Sequence, residues 1–262
     1  MFGIVKLSKD IFLFFKLFKY NINCPRPLKN KNKKYLITIK NKPASVVTFV
    51  NGKDKKILSN QDCYNIGKNI AKLHIASNKI NLFRKNSMSV NNLGFLLKSL
   101  QFKSNSILPN IKEILQQNLK EIKKEWPKKL PAGIIHGDLF IDNIFFNNKK
   151  FYGFIDFYFS CNDFYMYELA ICINALCFDK KSQKFLINKK KIKNLIKGYE
   201  IFKKISIKEK NSLNILCRGA ALRYLLTRIY DYFNTPKNAL TKIKDPKEYF
   251  QKLIIHNNLR ND

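Results

Sequence analysis

Two short β-rich segments, 134–146 (IIHGDLFIDNIFF) and 151–160 (FYGFIDFYFS), lie in a C-terminal half whose other segments have helical patterns. The polar run 147–150 (NNKK) separates them, and residues of this kind favour a tight turn. Both segments also carry polar side chains among large apolar ones. The sequence therefore predicts a small β-hairpin inserted in a helical lobe, with a polar loop beside it.

The rest of the chain divides near residue 51. Residues 9–20 predict an amphipathic helix, and the runs 35–41 and 44–50 read as a hairpin. From Ser59 the apolar spacing becomes helical, and 105–126 predicts another helix that ends at Trp126-Pro127. Four further helices are predicted, within 167–178, 190–202, 213–233 and 246–254. The expected fold class is α+β, with a small lobe at 1–51 and a mainly helical lobe at 52–262.

The charge balance is extreme, with 50 Lys plus Arg against 18 Asp plus Glu and a formal net charge of +32. These basic residues are mostly lysines spread along the whole chain, which indicates a compositional bias. A nucleic-acid or membrane site would concentrate its charge and use more arginine. We therefore expect neither nucleic acid nor membrane as a partner, and the oligomeric state is left open.

Six cysteines form no CxxC pair and no cluster with zinc spacing, so buried free thiols in a reducing cytoplasm are expected. No stretch approaches the roughly 20 apolar residues that a membrane span requires. A hydrophobic content of 45% predicts a folded chain rather than a disordered one. The expected location is the cytoplasm.

Asp138, Asn143 and Asp156 lie on and around the predicted hairpin. Phosphoryl transfer requires a carboxylate that accepts the proton of the attacking hydroxyl, and oxygen ligands that hold Mg²⁺ against the phosphates. These three residues supply such groups. The run 136–138 (HGD) alone also fits a turn with an Asx cap, and 155–157 (IDF) alone fits an ordinary buried strand, but their order and spacing together favour a phosphotransferase.

The segment 136–139 (HGDL) with Asn143, followed by 155–157 (IDF), resembles the catalytic loop and metal segment of the aminoglycoside phosphotransferase and choline kinase superfamily. The resemblance implies a protein-kinase-like two-lobe fold that uses ATP and Mg²⁺. It implies that Asp138 is the catalytic base and that Asn143 and Asp156 bind magnesium.

The same resemblance assigns supporting roles to two further residues. His136 would orient the catalytic loop. Glu168 stands where this superfamily commonly has Asp, so it would keep the charge that supports the loop while changing its reach.

Longer segments resemble the bacterial homoserine kinases of this superfamily, namely 133–146, 153–178, 218–240 and 244–256. This implies phosphorylation of the side-chain hydroxyl of L-homoserine to O-phosphohomoserine, for threonine biosynthesis. Such kinases extend further at the N-terminus and carry a glycine-rich loop there. We therefore expect 1–51 to be a remnant of the small lobe, with three explanations open: an upstream start, a reduced but active lobe, or lost activity.

Other functions remain open at this point. A kinase of another small hydroxyl compound, such as an aminoglycoside, choline or hydroxylysine, would share the same loop. An inactive pseudokinase or binding protein would explain the missing glycine loop.

An amino-acid substrate needs a cation for its carboxylate and an anion for its ammonium group. Arg218, Arg223 and Arg228 fall on one predicted helix at intervals of five residues. Each is therefore rotated about 140° around the helix axis from the one before, so they cannot all face one pocket. We expect Arg223 or Arg228 to bind the substrate, with Asp231 near its ammonium or paired with Arg228. The remaining substrate-binding candidates are Asp163 and Asn174.

Overall fold

The computed structural model describes residues 2–100, 107, 109–236, 238–239 and 243–259, with side chains from residue 9 onward. The helices are α1 (Phe2–Lys19), α2 (Asn60–Ser77), α3 (Leu93–Ser99), α4 (Ile111–Glu125), α5 (Tyr165–Leu176), α6 (Lys189–Glu200), α7 (Ile207–Asn211), α8 (Leu213–Asn234) and α9 (Pro246–Asn258). The strands are β1 (Pro27–Leu28), β2 (Ile37–Ile39), β3 (Lys42–Ala44), β4 (Val46–Val47), β5 (Ala132–Ile135), β6 (Ile144–Asn147), β7 (Lys150–Phe154), β8 (Cys161–Phe164), β9 (Phe178–Lys181) and β10 (Lys184–Ile187). The described chain is thus a mixed α+β structure.

The N-terminal strands correct the single hairpin expected from the runs 35–41 and 44–50. β2 pairs with β3 across a turn in which Lys40 and Asn41 have positive φ, as a tight hairpin requires. The chain then changes partner at Ser45, and β4 pairs with β1 instead. The second run is therefore divided between two small antiparallel pairs, a division that local pattern alone does not encode.

The predicted hairpin of the C-terminal half is confirmed. β6 and β7 pair antiparallel, and Asn148 and Lys149 occupy the turn with φ of 46° and 63°. β5 lies on one side of this hairpin in sequence and pairs with β8 on the other side. The two pairs together bring residues 136–143 and 155–160 into one region.

The predicted helical segments are confirmed in outline, with two differences. α5 ends at Leu176, and 178–187 forms a second hairpin, β9–β10, where only one was expected. The helix expected at 105–126 begins at Ile111, because Asn110 adopts a left-handed conformation (φ 54°). Residues 105 and 106 lie outside the described part of the chain.

Helix α8 packs against α5, α9 and α4, and α2 packs along α6. A capping box opens α2, because Ser59 accepts from the backbone N–H of Asp62 while the Asp62 side chain accepts from that of Ser59. The six cysteines are buried free thiols, as expected. Within the described residues, no helix has the length and apolar content to cross a bilayer.

Two glycines allow α2 and α6 to approach closely. A β-carbon on Gly67 would lie 2.0 Å from the carbonyl oxygen of Leu195, and one on Gly198 would lie 1.9 Å from that of Tyr64. Since backbone carbonyls cannot rotate away as a flexible side chain can, the two helices would have to separate to accept a methyl group.

We predict that Gly67→Ala and Gly198→Ala each lower the free energy of unfolding by about 1 to 3 kcal/mol, the usual cost of overpacking. Gly94→Ala is the matched control, since its β-carbon would meet the flexible end of Lys123 at 3.3 Å and Leu119 Cδ2 at 3.9 Å, and no backbone atom within 4 Å. Helix propensity makes that variant equal to the parent or up to about 1 kcal/mol more stable. Urea unfolding followed by circular dichroism measures the free energy of unfolding of all three variants. If Gly67→Ala were as stable as Gly94→Ala, the close-packing argument would be contradicted.

Candidate active site

Three short connections carry the candidate catalytic residues. Asp138 follows β5, Asn143 ends a 3₁₀ turn (Ile141–Asn143) just before β6, and Asp156 follows β7. The side-chain amide of Asn143 donates to the Asp138 carbonyl oxygen at 2.8 Å and lies 3.4 Å from the carboxylate oxygen Oδ2. The Asn143 carbonyl also accepts from the N–H of Ile155 at 3.0 Å. The hairpin thereby brings all three residues together.

A buried carboxylate holds the loop in front of Asp138. Glu168, on α5, is fully buried and accepts hydrogen bonds from the backbone N–H groups of His136 and Gly137, the latter at 3.1 Å. The His136 ring contacts the Ile155 carbonyl through Nε2 at 2.8 Å, and its Nδ1 lies 3.3 Å from the N–H of Asp138. These are the contacts expected of residues that support the loop.

Gly137 is required for the shape of this loop. Its φ is +77°, and a β-carbon there would lie 2.7 Å from the carbonyl oxygen of Phe159. A glycine accepts this conformation and this close approach without a steric clash.

The surroundings of Asp138 shift the pKa of its carboxylate in opposite directions. Burial raises its pKa, against the positive charge of Arg223 and a hydrogen bond from Tyr224. The Tyr224 hydroxyl lies 3.1 Å from both Asp138 Oδ1 and the Gly137 carbonyl oxygen. The carboxylate is therefore oriented and partly desolvated, which suits a proton acceptor.

Asp138 lines a cavity of about 420 Å³. Arg223, Arg228 and Asp231 line it from α8, on the same side as Thr227. Its other lining residues are Met88, Phe140, Asp142, Phe159, Tyr224, Thr235, Ile243 and Lys244. Two of the three candidate arginines and the candidate acid therefore share one cavity with Asp138.

Arg218 lies elsewhere, where it bonds Glu121 on α4 at 2.8 Å and Asn257 on α9 at 2.7 Å. All three arginines are buried, and not exposed as isolated arginines usually are. Since α8 packs against several neighbours, the direction in which each arginine points determines whether it meets a carboxylate or the cavity.

Arg228 and Asp231 do not pair with each other. Arg228 Nη1 donates to Glu248 at 2.7 Å and to the Asp245 carbonyl at 3.0 Å, and its guanidinium lies over the Tyr249 ring. Burial raises the pKa of Asp231, and no described cation lies within ion-pair distance to counter it. The cavity wall thus presents an arginine and a separate carboxylate that no described cation neutralises.

The other two predicted substrate residues do not line the cavity. Asp163 is held by Asn86 at 2.5 Å and by the backbone N–H of Phe164 at 2.7 Å. Asn174 is fully buried, where it donates to the Cys217 carbonyl at 3.0 Å and lies 3.1 Å from the His256 ring nitrogen. Their hydrogen bonds hold parts of the fold together.

Sequence reasoning missed Tyr224 and Lys244. Tyr224 adjoins Arg223 in a segment already singled out, but tyrosine is so common in this chain that its type alone carried no signal. Lys244 Nζ lies 3.3 Å from Asp142 Oδ2 and 5.0 Å from the centre of the Phe140 ring, a meeting of residues about a hundred positions apart.

The donor set fits a magnesium ion held together with phosphates. With its amide nitrogen donating to Asp138, Asn143 has its Oδ1 oxygen as the group that can bind a cation. Asp156 is exposed and accepts one long hydrogen bond, 3.3 Å, from the N–H of Tyr158. Mg²⁺ takes hard oxygen ligands, commonly one or two from the protein with phosphates and waters completing the shell. In the described part of the chain, no cluster of three or more His, Cys, Asp or Glu side chains forms a metal site by itself.

Comparison with known families agrees with this geometry. The model of the phosphotransferase enzyme family matches residues 14–188. A homoserine kinase of Bartonella henselae is 38% identical over 259 residues, which cover 97% of this chain and 80% of the relative. One of Rhodospirillum rubrum is 39% identical over 236 residues, which cover 90% of this chain and 73% of the relative.

Solved structures extend the comparison to the fold. An amicoumacin kinase, solved with AMP-PNP, Ca²⁺ and Ami, matches with a TM-score of 0.72 at 11% identity, covering 96% of this chain and 77% of that one. A choline kinase of Cryptosporidium parvum matches with a TM-score of 0.67 at 14% identity, covering 98% and 77%. The expected kinase-like fold is therefore confirmed, while the boundary near residue 51 stays a prediction.

We predict that Asp138→Asn is more stable than the parent at pH 7. Because the pKa of Asp138 is raised in the folded state, protonated Asp138 contributes to the free energy of unfolding. This contribution is fully present below the pKa of the unfolded chain and is lost as pH rises through the pKa of the folded protein. The amide cannot ionise, so the difference in the free energy of unfolding should shrink towards zero near pH 3.5.

Asp62→Asn is the control of opposite sign. Although burial opposes it, hydrogen bonds from Lys55 and Ser59 lower the pKa of Asp62, so its carboxylate stabilises the fold above the unfolded pKa. That variant should be less stable at pH 7, with the difference again vanishing in acid. Chemical unfolding at several pH values measures both; an Asp138→Asn variant less stable at pH 7 would contradict the assigned direction.

Proposed function

This chain belongs to the phosphotransferase enzyme family and, within it, to the homoserine kinases, and we propose that it transfers the γ-phosphoryl group of ATP to the side-chain hydroxyl of L-homoserine. The observation that carries the proposal at this site is the position of Asp138. Asp138 lines a cavity that Arg228 and Asp231 also line, and Asp231 forms no ion pair within the described part of the chain. A proton acceptor and two opposite charges thus surround one small space.

Asp138 is the general base of the proposed reaction. The hydroxyl oxygen of homoserine forms a bond to the γ-phosphorus while the bond from that phosphorus to the oxygen bridging to the β-phosphate breaks. The hydroxyl proton passes to Asp138, and ADP leaves. Tyr224 fixes the direction of the carboxylate, and the positive charge of Arg223 opposes the rise in its pKa that burial causes.

Asn143 and Asp156 are the magnesium ligands of the proposal, acting together with the ATP phosphates. The bound ion would neutralise phosphate charge and keep the γ-phosphoryl group in line with the attacking oxygen. The protein's own contribution is to hold these oxygen donors beside Asp138, through the bonds from Asn143 to the Asp138 and Ile155 backbones.

Homoserine recognition is assigned to α8. Arg228 and Asp231 are three residues apart on this helix and so lie on one face, where both line the cavity. We assign the substrate carboxylate to Arg228 and the ammonium group to Asp231, with Arg223 at the Asp138 end. Choline carries a cation without a carboxylate, so a cavity that presents both an arginine and a separate carboxylate favours an amino acid.

We predict that Asp138→Ala lowers kcat by about 10²- to 10⁴-fold, the usual contribution of a general base. Release of ADP with ATP, Mg²⁺ and L-homoserine measures this, with serine, choline and an aminoglycoside as alternative acceptors. The variant should unfold at a temperature no lower than the parent, which separates loss of the base from loss of the fold. Turnover equal to that of the parent would overturn the mechanism, and parent turnover restricted to another acceptor would overturn the substrate.

A second prediction concerns the substrate ammonium group. Asp231→Asn should raise the KM for L-homoserine by about tenfold or more, since a partly desolvated charge pair is worth roughly 1.4 kcal/mol or more. With 4-hydroxybutyrate, which keeps the hydroxyl and carboxylate but lacks the ammonium group, parent and variant should have equal kcat/KM. An equal loss with both acceptors would assign Asp231 to the structure of the cavity instead.

A further inference from the structure

Arg84 joins helix α1 to the segment that carries Asp156. Its Nη1 is ion-paired with Asp10 of α1, and its Nη2 donates to the carbonyl oxygen of Tyr158 at 3.1 Å. We propose that Arg84 is a positioning residue for Asp156, fixing that carboxylate for the metal–nucleotide complex; the inference rests on the function proposed above.

Asp156 needs external support to keep its direction. It has a left-handed conformation (φ 60°, ψ 66°), which non-glycine residues adopt infrequently, and its side chain is exposed. The 3.3 Å bond from the Tyr158 N–H is too long to fix the carboxylate. The positions of the flanking residues therefore decide where the carboxylate points.

On the N-terminal side the catalytic loop supplies the support. His136 Nε2 lies 2.8 Å from the Ile155 carbonyl oxygen, and the N–H of Ile155 donates to Asn143 at 3.0 Å. Both partners belong to the loop of Asp138, so this end of the segment moves only if the catalytic loop moves.

On the C-terminal side the support comes from Arg84 and α1. The Phe157 ring packs edge-on against Phe14 of α1, with centroids 5.5 Å apart, and Arg84 bonds the next residue, Tyr158. Asp156 is thus held between the catalytic loop on one side and α1 on the other.

Arg84 is itself fixed in place. It is 7% exposed, and its backbone pairs with Asn162, whose side-chain oxygen accepts from the Arg84 N–H and whose own N–H donates to the Arg84 carbonyl, both at 2.7 Å. A buried guanidinium with several committed donors has little freedom to reorient. The position of the Tyr158 carbonyl therefore depends on the position of α1, since Arg84 bonds both.

The chemistry requires arginine in particular. One planar guanidinium reaches a carboxylate with one nitrogen and a carbonyl with another, in a fixed geometry. A lysine at this position would keep a charge for Asp10 but would present one nitrogen in place of two separated ones. Arg84→Lys therefore removes the bond to Tyr158 while sparing the ion pair.

The test is calorimetric binding of ADP to the parent and to Arg84→Lys, once with excess Mg²⁺ and once with EDTA. We expect the variant to bind ADP about tenfold more weakly in Mg²⁺, the scale of loss when a group that orients a metal ligand is removed. Its affinity in EDTA should stay within about twofold, because the nucleotide contacts themselves are unchanged.

Arg218→Lys is the matched control. Arg218 is also buried and also bonds one carboxylate, of Glu121, and one amide oxygen, of Asn257, but it does not line the cavity. It should lower thermal stability without changing either ADP affinity. Equal weakening of Arg84→Lys in Mg²⁺ and EDTA, or no weakening in Mg²⁺, would overturn the proposal.

If Arg84→Lys does not fold, Asp10→Asn decides the question. It removes the charge that holds Arg84 but keeps an oxygen acceptor of the same size. A selective loss of ADP affinity in Mg²⁺ would support the positioning role, and unchanged affinity would overturn it. Homoserine-dependent ADP release by the parent is measured separately, so failure of the proposed function appears there and not in the binding ratios.

Discussion

The buried carboxylate of Glu168 is the interaction on which the rest of the site depends. It accepts hydrogen bonds from the backbone N–H groups of His136 and Gly137, so a side chain of α5 fixes the loop that carries Asp138. Burying a carboxylate costs several kcal/mol unless hydrogen bonds compensate for the lost water. Here the loop backbone supplies those bonds, which makes the stability of the core and the shape of the loop depend on each other.

Further elements secure the surroundings of Glu168. His74 of α2 lies 3.9 Å from it, and burial lowers the pKa of this histidine. His74 also bonds the Tyr199 hydroxyl of α6 at 2.8 Å and stacks on Tyr165. The close α2–α6 packing at Gly67 and Gly198 therefore supports the loop indirectly.

Charge is distributed unevenly around the cavity. Arg228 shares Glu248 with Lys252, so two cations meet one carboxylate at that wall, whereas Asp231 lines the cavity and forms no ion pair with any residue that the structure describes. An evenly spread excess of lysine over the whole chain does not produce this pattern. It results from which side chains pair inside the fold, and a ligand with separated opposite charges complements it.

Local chemistry explains what could be predicted. The hairpin followed from NNKK between two apolar segments, because Asn148 in a left-handed turn is a local preference. Asp138, Asn143 and Asp156 followed from their order around that hairpin, because a short loop and a tight turn keep such residues close. The N-terminal strand pairs and β9–β10 were missed or misassigned, since pairing there depends on partners that local pattern does not specify.

The sequence by itself determined the family, four helices of the C-terminal half (α5, α6, α8 and α9) and the three catalytic candidates, since each rests on residues near one another in the chain. Tertiary structure alone decided that Arg218 pairs with Glu121 while Arg223 and Arg228 line the cavity. It also decided that Asn174 is buried and bonds the Cys217 carbonyl. It also decided that Arg84 joins Asp10 to Tyr158, residues 74 positions away on either side. The physical reason is that burial and ion pairing are properties of packed neighbours, and neighbours distant in sequence are set only when the chain folds.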